Sequence, residues 1–253
     1  MKDFLLNQSL AVRTFILPEV KKIVSKIEPT YNQVVPYKTD IIKWLSPIID
    51  LSGYYVYPTN GITEGLNWWY HQELRSVFID DGDYQWIQKK SGIDSFIKYQ
   101  SIPSSIDGNF RTIRAGNSAI DLAYIGSTKI KKIEINSNVE YLFYSLSKSF
   151  GVSNLRTGWL FTKYPDKNLD SLINSAKYYN YFAHSVAETI INNFDIDYIH
   201  RMLEDQQKLV CSKLDLIPSD SVWLATTDSN EYSKFRRKGN IARVCLAGVY
   251  KKC

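Results

Sequence analysis

Apolar positions along the chain recur with a helical period near the N-terminus and then switch repeatedly between strand and helix periods. Leu17, Val20, Ile23, Val24 and Ile27 share one helical face and Pro18 suits a first helical position, so the spacing predicts a helix over 17–27. Ile41, Ile42, Leu45, Ile48 and Ile49 repeat the pattern behind Thr39, a residue type that favours an N-cap. Residues 54–61, a short aromatic run, end in the turn signal Asn60-Gly61. A helix is predicted from Thr63 to about Leu74 and a strand over Ser76–Ile79. Further strands are predicted over Ala119–Ile125, Val139–Tyr144 and Gly158–Thr162. From about 168 to 214 helical spacing dominates, and 221–226 and 241–246 return to strand.

Such alternation predicts an α/β fold, with a mostly parallel central sheet flanked by helices and a small C-terminal α+β part. The loop composition of residues 163–168 marks a boundary. The expected organisation is an N-terminal segment at 1–30 that packs on the small domain, a large α/β domain at 31–165 and a small C-terminal domain at 166–253.

Composition narrows the function classes. Of 253 residues, 44% are apolar, enough for a sizeable core. The net charge of +5 comes from 31 basic and 26 acidic residues. That excess suits an anionic ligand but forms no nucleic-acid stripe. The basic runs Lys129–Lys132 and Arg236-Arg237-Lys238 read as solvated surface. Cys211, Cys245 and Cys253 have neither zinc spacing nor a disulfide pattern, so no metal is expected and a reducing cytoplasm fits. No stretch approaches the ~18 apolar residues of a membrane span.

The candidate chemistry is concentrated in a few segments. Val139–Ser145 leads an apolar strand into Ser145-Leu146-Ser147-Lys148, followed by Arg156-Thr157-Gly158. A lysine at the carboxyl end of a strand stands where α/β sheets bind ligands, and desolvation there turns its amine into a nucleophile toward aldehydes. The neighbouring hydroxyls and Arg156 suit a phosphate. Taken alone, Ser-x-Ser-Lys is equally at home as a surface lysine after a strand. Asp121 is a carboxylate within an apolar run, costly unless partnered, with Tyr124 three residues on. Gly61 precedes a helix whose first N–H groups, at Ile62 and Thr63, form a phosphate cradle; an ordinary cap at Thr63 is compatible with this. Tyr84 follows the predicted strand 76–79, and Arg243 lies within the strand 241–246.

In order and spacing these segments resemble the aminotransferase class I/II family, the fold-type I pyridoxal-phosphate (PLP) enzymes. Ser145, Lys148, Arg156 and Gly158 match the family's Schiff-base region, and Asp121 with Tyr124 matches its Asp-x-Ala-Tyr signature. The resemblance implies that Lys148 carries pyridoxal 5'-phosphate as a Schiff base. It implies that Ser145, Arg156, Ile62 and Thr63 bind the phosphate. Asp121 would pair with the pyridinium nitrogen, Tyr124 would donate to the ring's phenolic oxygen, and Tyr84 would stack on the ring. Arg243 would bind the substrate α-carboxylate. It further implies a homodimer with sites at the interface, amino acid and 2-oxo acid substrates, and neither nucleic-acid nor membrane partners.

Two departures qualify the expectation. Only 37 residues separate Tyr84 from Asp121, where the family has a strand and an Asn-Pro-x-Gly motif whose Asn reaches the ring oxygen. Here residues 102–109 read Ile-Pro-Ser-Ser-Ile-Asp-Gly-Asn, and Asn109 and Asn117 are the available stand-ins. Tyr31 and Tyr37 are candidates for a tyrosine that crosses to the neighbouring subunit. The expected function is amino-group transfer. A lyase, decarboxylase or racemase, or a non-catalytic PLP-binding relative, stands as the alternative.

Overall fold

The computed structural model describes residues 12–28, 39–84, 86–92 and 95–250. Tyr31, Tyr37 and Cys253 lie outside these residues. A six-stranded sheet has the order β1-β6-β5-β4-β3-β2. Its strands are β1 (Tyr55–Thr59), β2 (Ser76–Ile79), β3 (Phe96–Ser101), β4 (Ser118–Asp121), β5 (Val139–Ser145) and β6 (Gly158–Thr162). β2 to β5 run parallel, while β6 is antiparallel to both β5 and β1. The sheet is therefore mostly parallel, as the alternating pattern predicts.

Helices flank it: α1 (Pro18–Val24), α2 (Thr39–Leu45), α3 (Ile62–Gln72), α4 (Leu146–Ser149), α5 (Tyr181–Asn193), α6 (Tyr198–Leu214) and α7 (Ala247–Tyr250). α3 closes one face through Leu66 and Trp69, which join Phe143, Leu160 and Tyr99 in one core cluster. Gly65 permits this approach, since a Cβ there would lie 3.3 Å from the Phe143 ring. The opposite face carries the larger core, where α1, α2, α5 and α6 meet Leu142, Tyr144 and Phe161. Every residue of β4 is buried, its polar ends Ser118 and Asp121 included.

A second sheet, β7-β8-β10-β9, is antiparallel. Its strands are β7 (Ile217–Pro218), β8 (Leu224–Thr227), β9 (Arg236–Lys238) and β10 (Ile241–Cys245). The loop after β3 fastens it to the first sheet. Asp220 N–H donates to Asn109 Oδ1 at 2.9 Å, and Phe110 N–H donates to Asp220 Oδ2 at 2.8 Å.

The structure departs from the sequence expectation at three places. A strand does lie between Tyr84 and Asp121: β3 pairs in parallel with both β2 and β4. Its Lys98, Gln100 and Ser101 had masked the apolar alternation. β4 stops at Asp121 rather than continuing to 125, because the Asp121 side chain accepts the Ala123 N–H at 2.8 Å and turns the chain. Finally, Arg236-Arg237-Lys238 is a strand in which Arg236 and Arg237 are half-buried and only Lys238 is solvated surface.

Candidate active site

Strand register gathers the chemical groups at one edge of the first sheet. Thr59 pairs with Gly158, which pairs with Ser145; alongside, Asp121 pairs with both Phe143 and Ser101. This is the carboxyl edge of the parallel strands, where open α/β sheets bind ligands. A cavity of about 280 Å³ opens there, close to the ~300 Å³ lower bound of ordinary ligand pockets. All nine residues singled out in the sequence line it: Ile62, Thr63 and Tyr84, then Asp121, Tyr124 and Ser145, and finally Lys148, Arg156 and Arg243.

One end of the cavity is a phosphate-sized cradle. The N-cap of α3 is Gly61, with φ +82°, so Thr63 sits in the first turn instead of capping it. Glu64 reaches back to accept the Asn60 N–H at 2.7 Å, fixing the turn. The first-turn N–H groups of Ile62 and Thr63 have no acceptor within the helix and face a positive dipole end. Arg156 lies against this turn: its Nη2 donates to the Asn60 carbonyl at 3.0 Å, and a Cβ on Gly61 would come within 2.5 Å of that nitrogen. Arg156 adopts a left-handed backbone, φ 53°, a conformation that costs a non-glycine residue about 1 kcal/mol or more. Gly158, two residues on, lets the turn press against β6; its Cβ would lie 2.8 Å from the Gly61 Cα. Ser145, Ser147 and Ser153 also line the cavity. Ser147 Oγ is buried without a hydrogen-bond partner among the described residues.

The middle of the cavity holds Asp121 and Lys148. Asp121 is 4% exposed. Its Oδ2 accepts the Tyr99 hydroxyl at 2.6 Å and its Oδ1 the Ala123 N–H. Burial pushes this carboxyl up to about 6, against the pull of those two donors. Lys148 is the third residue of α4, which follows β5 directly, and its backbone carbonyl accepts the Trp223 indole N–H at 2.6 Å. Its ammonium donates to the Val12 carbonyl. Burial draws the Lys148 pKa below its ordinary value; Cys245 and Asp121 oppose the shift, while Arg243 and Arg156 add to it.

The far wall comes from the second sheet and the loop after β3. Arg243, 5% exposed on β10, donates to the Ser105 carbonyl and lies 3.5 Å from the Tyr124 hydroxyl. Burial raises the Tyr124 pKa, so its phenol stays protonated as a donor. Sequence reasoning missed several residues here. Ser101 and Ser105 line the cavity, and both hydroxyls donate to buried Asp83 Oδ1 at 2.5 Å. Asn109 and Asn117 are not among the lining residues; Asn109 is spent holding Asp220. Arg237 of β9 also lines the cavity. Nothing in the bare sequence separates Ser101 and Ser105 from other loop serines, or Arg237 from its basic neighbours.

No family model matches the sequence, and no curated protein matches it. Solved structures do. An aminotransferase from Staphylococcus aureus superposes with a TM-score of 0.64 at 13% identity, over 98% of this chain and 92% of that one. A PLP-bound C-S lyase from Staphylococcus hominis, complexed with the inhibitor L-cycloserine, gives 0.66 at 12%, over 100% and 88%. An aromatic aminotransferase from Pyrococcus horikoshii OT3 gives 0.67 at 11%, over 96% and 91%. Among the described residues no helix is long and apolar enough to cross a membrane. The chain thus has the fold of these aminotransferase and C-S lyase structures across almost its whole length.

Proposed function

We propose that the chain is a pyridoxal-5'-phosphate enzyme acting on an amino acid, and that its reaction is transfer of the amino group to a 2-oxo acid. One observation carries the reading. A burial-activated lysine, a burial-raised carboxyl and a phosphate-sized cradle converge in a single cavity on a fold whose solved examples include PLP-bound enzymes.

The residues fit the cofactor. The Ser147 hydroxyl, without a partner among the described residues, the N–H groups at the start of α3 and Arg156 together suit a multivalent oxyanion. The strained Arg156 backbone is explained if the side chain must reach that anion. Asp121, uncomfortable when ionised and alone, suits a cationic ring nitrogen. Lys148 is the attachment point.

When bound, the cofactor's ring draws electrons from the bond broken at the substrate Cα. The protein does the rest. Lys148, favoured as a neutral amine by burial, takes up the Cα proton at Nζ and returns it. Tyr99 and the Ala123 N–H hold the Asp121 carboxylate in one orientation. Tyr124 donates its hydroxyl, and the Arg243 guanidinium takes the substrate α-carboxylate, setting which Cα bond faces the ring.

The same groups would serve a carbon–sulfur lyase, and the likeness to the Staphylococcus hominis enzyme supports that as the second reading. The boundary near residue 165 is proposed as the division between a large and a small domain, since the strands of the two sheets fall on either side of it. A homodimer in the cytoplasm belongs to the same proposal; Tyr178, 72% exposed, offers aromatic surface for the partner.

The test is the visible absorption of the purified protein with added PLP, native and Lys148→Ala, before and after a panel of amino acids. A Lys148-dependent band that bleaches with release of a 2-oxo acid and an aminated cofactor supports transamination. Release of ammonia with a thiol moves the assignment to the lyase. Absence of a band in the native protein overturns the PLP reading.

A further inference from the structure

Lys148 stands on a helix too short to satisfy its own carbonyls. α4 has four residues, and the Phe150 N–H closes its turn by donating to the Leu146 carbonyl at 2.9 Å. The carbonyls of Ser147 and Lys148 would need helical N–H groups at residues 151 and 152, where the helix has ended. Among the described residues no backbone N–H donates to either. A buried carbonyl left unpaired is costly, and here each is met by a side chain. The Thr14 hydroxyl donates to the Ser147 carbonyl at 2.8 Å, and the Trp223 indole N–H donates to the Lys148 carbonyl at 2.6 Å.

The two donors lie far apart in sequence and brace each other. Trp223 stands in the turn before β8 and is fully buried. Phe15, next to Thr14, meets the Trp223 ring edge-on at 5.2 Å, and the ring of Tyr250 on α7 lies 6.0 Å from it. Gly151 lets the N-terminal segment cross. With φ +73° and no side chain, it admits the Phe15 carbonyl to 2.1 Å from where a Cβ would stand. The Lys148 ammonium in turn donates to the Val12 carbonyl. Residues 12–15 and the turn before β8 thus hold the same short helix.

We propose that Thr14 and Trp223 are positioning residues for Lys148: their grip on the carbonyls of α4 keeps its amine in the cavity and out of water. This rests on the reading of Lys148 as the attachment point of the cofactor. Neither donor lines the cavity, so each acts through the backbone of α4. Because Trp223 leads into β8, the place of the lysine at the edge of the first sheet is tied to the packing of the second.

The test uses cofactor-free protein and the pH profile of Lys148 acetylation by trace acetic anhydride, mapped by mass spectrometry with exposed Lys129 as internal reference. Held in place, Lys148 titrates below an ordinary lysine, as burial dictates. Loss of either donor lets α4 fray and water reach the amine. In Thr14→Val and in Trp223→Phe the Lys148 midpoint should rise by at least about 0.5 pH unit toward the ~10.4 of a solvated lysine. Thr14→Ser, which keeps the hydroxyl, should stay at the native midpoint. The charged and titratable groups about the amine, Asp121 of β4, Cys245 and Arg243 of β10 and Arg156 before β6, are present in every variant. Tyr250→Phe is the control for a merely structural loss. It removes the hydrogen bond from the Tyr250 hydroxyl to the Val222 carbonyl, beside the same Trp223 ring, and leaves the donors to α4 in place. Its melting temperature should fall while its Lys148 midpoint stays native. A native midpoint in Thr14→Val or in folded Trp223→Phe overturns the proposal, as does an equal shift in Thr14→Ser or in Tyr250→Phe. Should Trp223→Phe not fold, the Thr14 pair decides. Failure of the PLP reading is seen separately, as absence of a cofactor band, and leaves this profile unchanged.

Discussion

Asp121→Asn should change how stability depends on pH, by an amount the structure fixes. In the cofactor-free protein the Asp121 carboxyl is raised from its ordinary 3.8 to about 6, first by burial. Below pH ~4 the group is protonated whether the chain is folded or not, and it costs nothing. Between ~4 and ~6 the folded chain keeps a proton that the unfolded chain has lost. Rising pH therefore favours unfolding, and above about 6 the full cost applies. At ~1.36 kcal/mol for each pH unit, the cost is roughly 3 kcal/mol. Asparagine cannot titrate, yet its amide oxygen still accepts the Ala123 N–H, and its NH2 can donate to the Tyr99 oxygen. Urea unfolding followed by circular dichroism, on cofactor-free native and Asn proteins from pH 4 to 8, gives the two profiles. The stability of the native protein relative to the variant should fall by roughly 3 kcal/mol between pH 4 and 7. Buried His184, held down at about 4, titrates with the opposite sign but is common to both proteins and cancels in the difference. Added PLP at pH 7.5 should stabilise the native chain more than the variant. Parallel profiles across this range would refute the argument.

Arg156→Gln should weaken PLP binding about 10- to 100-fold in equilibrium dialysis, the worth of a charge-assisted hydrogen bond of ~1.5–3 kcal/mol; a change under twofold would remove Arg156 from the cradle. Gly61→Ala forces a side chain into φ +82° and against Arg156 Nη2. It should cost ~1–3 kcal/mol of stability and lower PLP affinity, read by thermal melts with and without PLP. Ser147→Ala should leave the stability of the cofactor-free protein within ~0.5 kcal/mol or raise it, because it deletes a buried hydroxyl that has no partner among the described residues, while PLP affinity drops. A large loss of cofactor-free stability in this variant would mean that Ser147 is structural.

Much of the sheet was legible because its strands are short runs rich in β-branched and aromatic residues bounded by turns. β2 and β6 fall at the residues the pattern predicts, and β5 extends one residue further. β3 was not legible, since Lys98, Gln100 and Ser101 interrupt it. Its polar positions are satisfied by tertiary partners that no local pattern reveals, such as the Thr112 carbonyl for the Gln100 amide and Asp83 for Ser101. The nine residues read from motif spacing meet in one cavity because the register aligns the ends of β1, β4, β5 and β6. Tyr99, Ser101 and Ser105 escaped notice for the same reason as β3. Arg237 escaped because a basic run reads as solvated unless its strand is known to turn one side chain inward.

The most direct test of the central claim is chemical. The protein is incubated with PLP, reduced with borohydride, digested and mapped by mass spectrometry. The account predicts a single stoichiometric phosphopyridoxyl label on Lys148. A label absent, or spread over exposed lysines such as Lys129 and Lys131 and unchanged in Lys148→Ala, would contradict it.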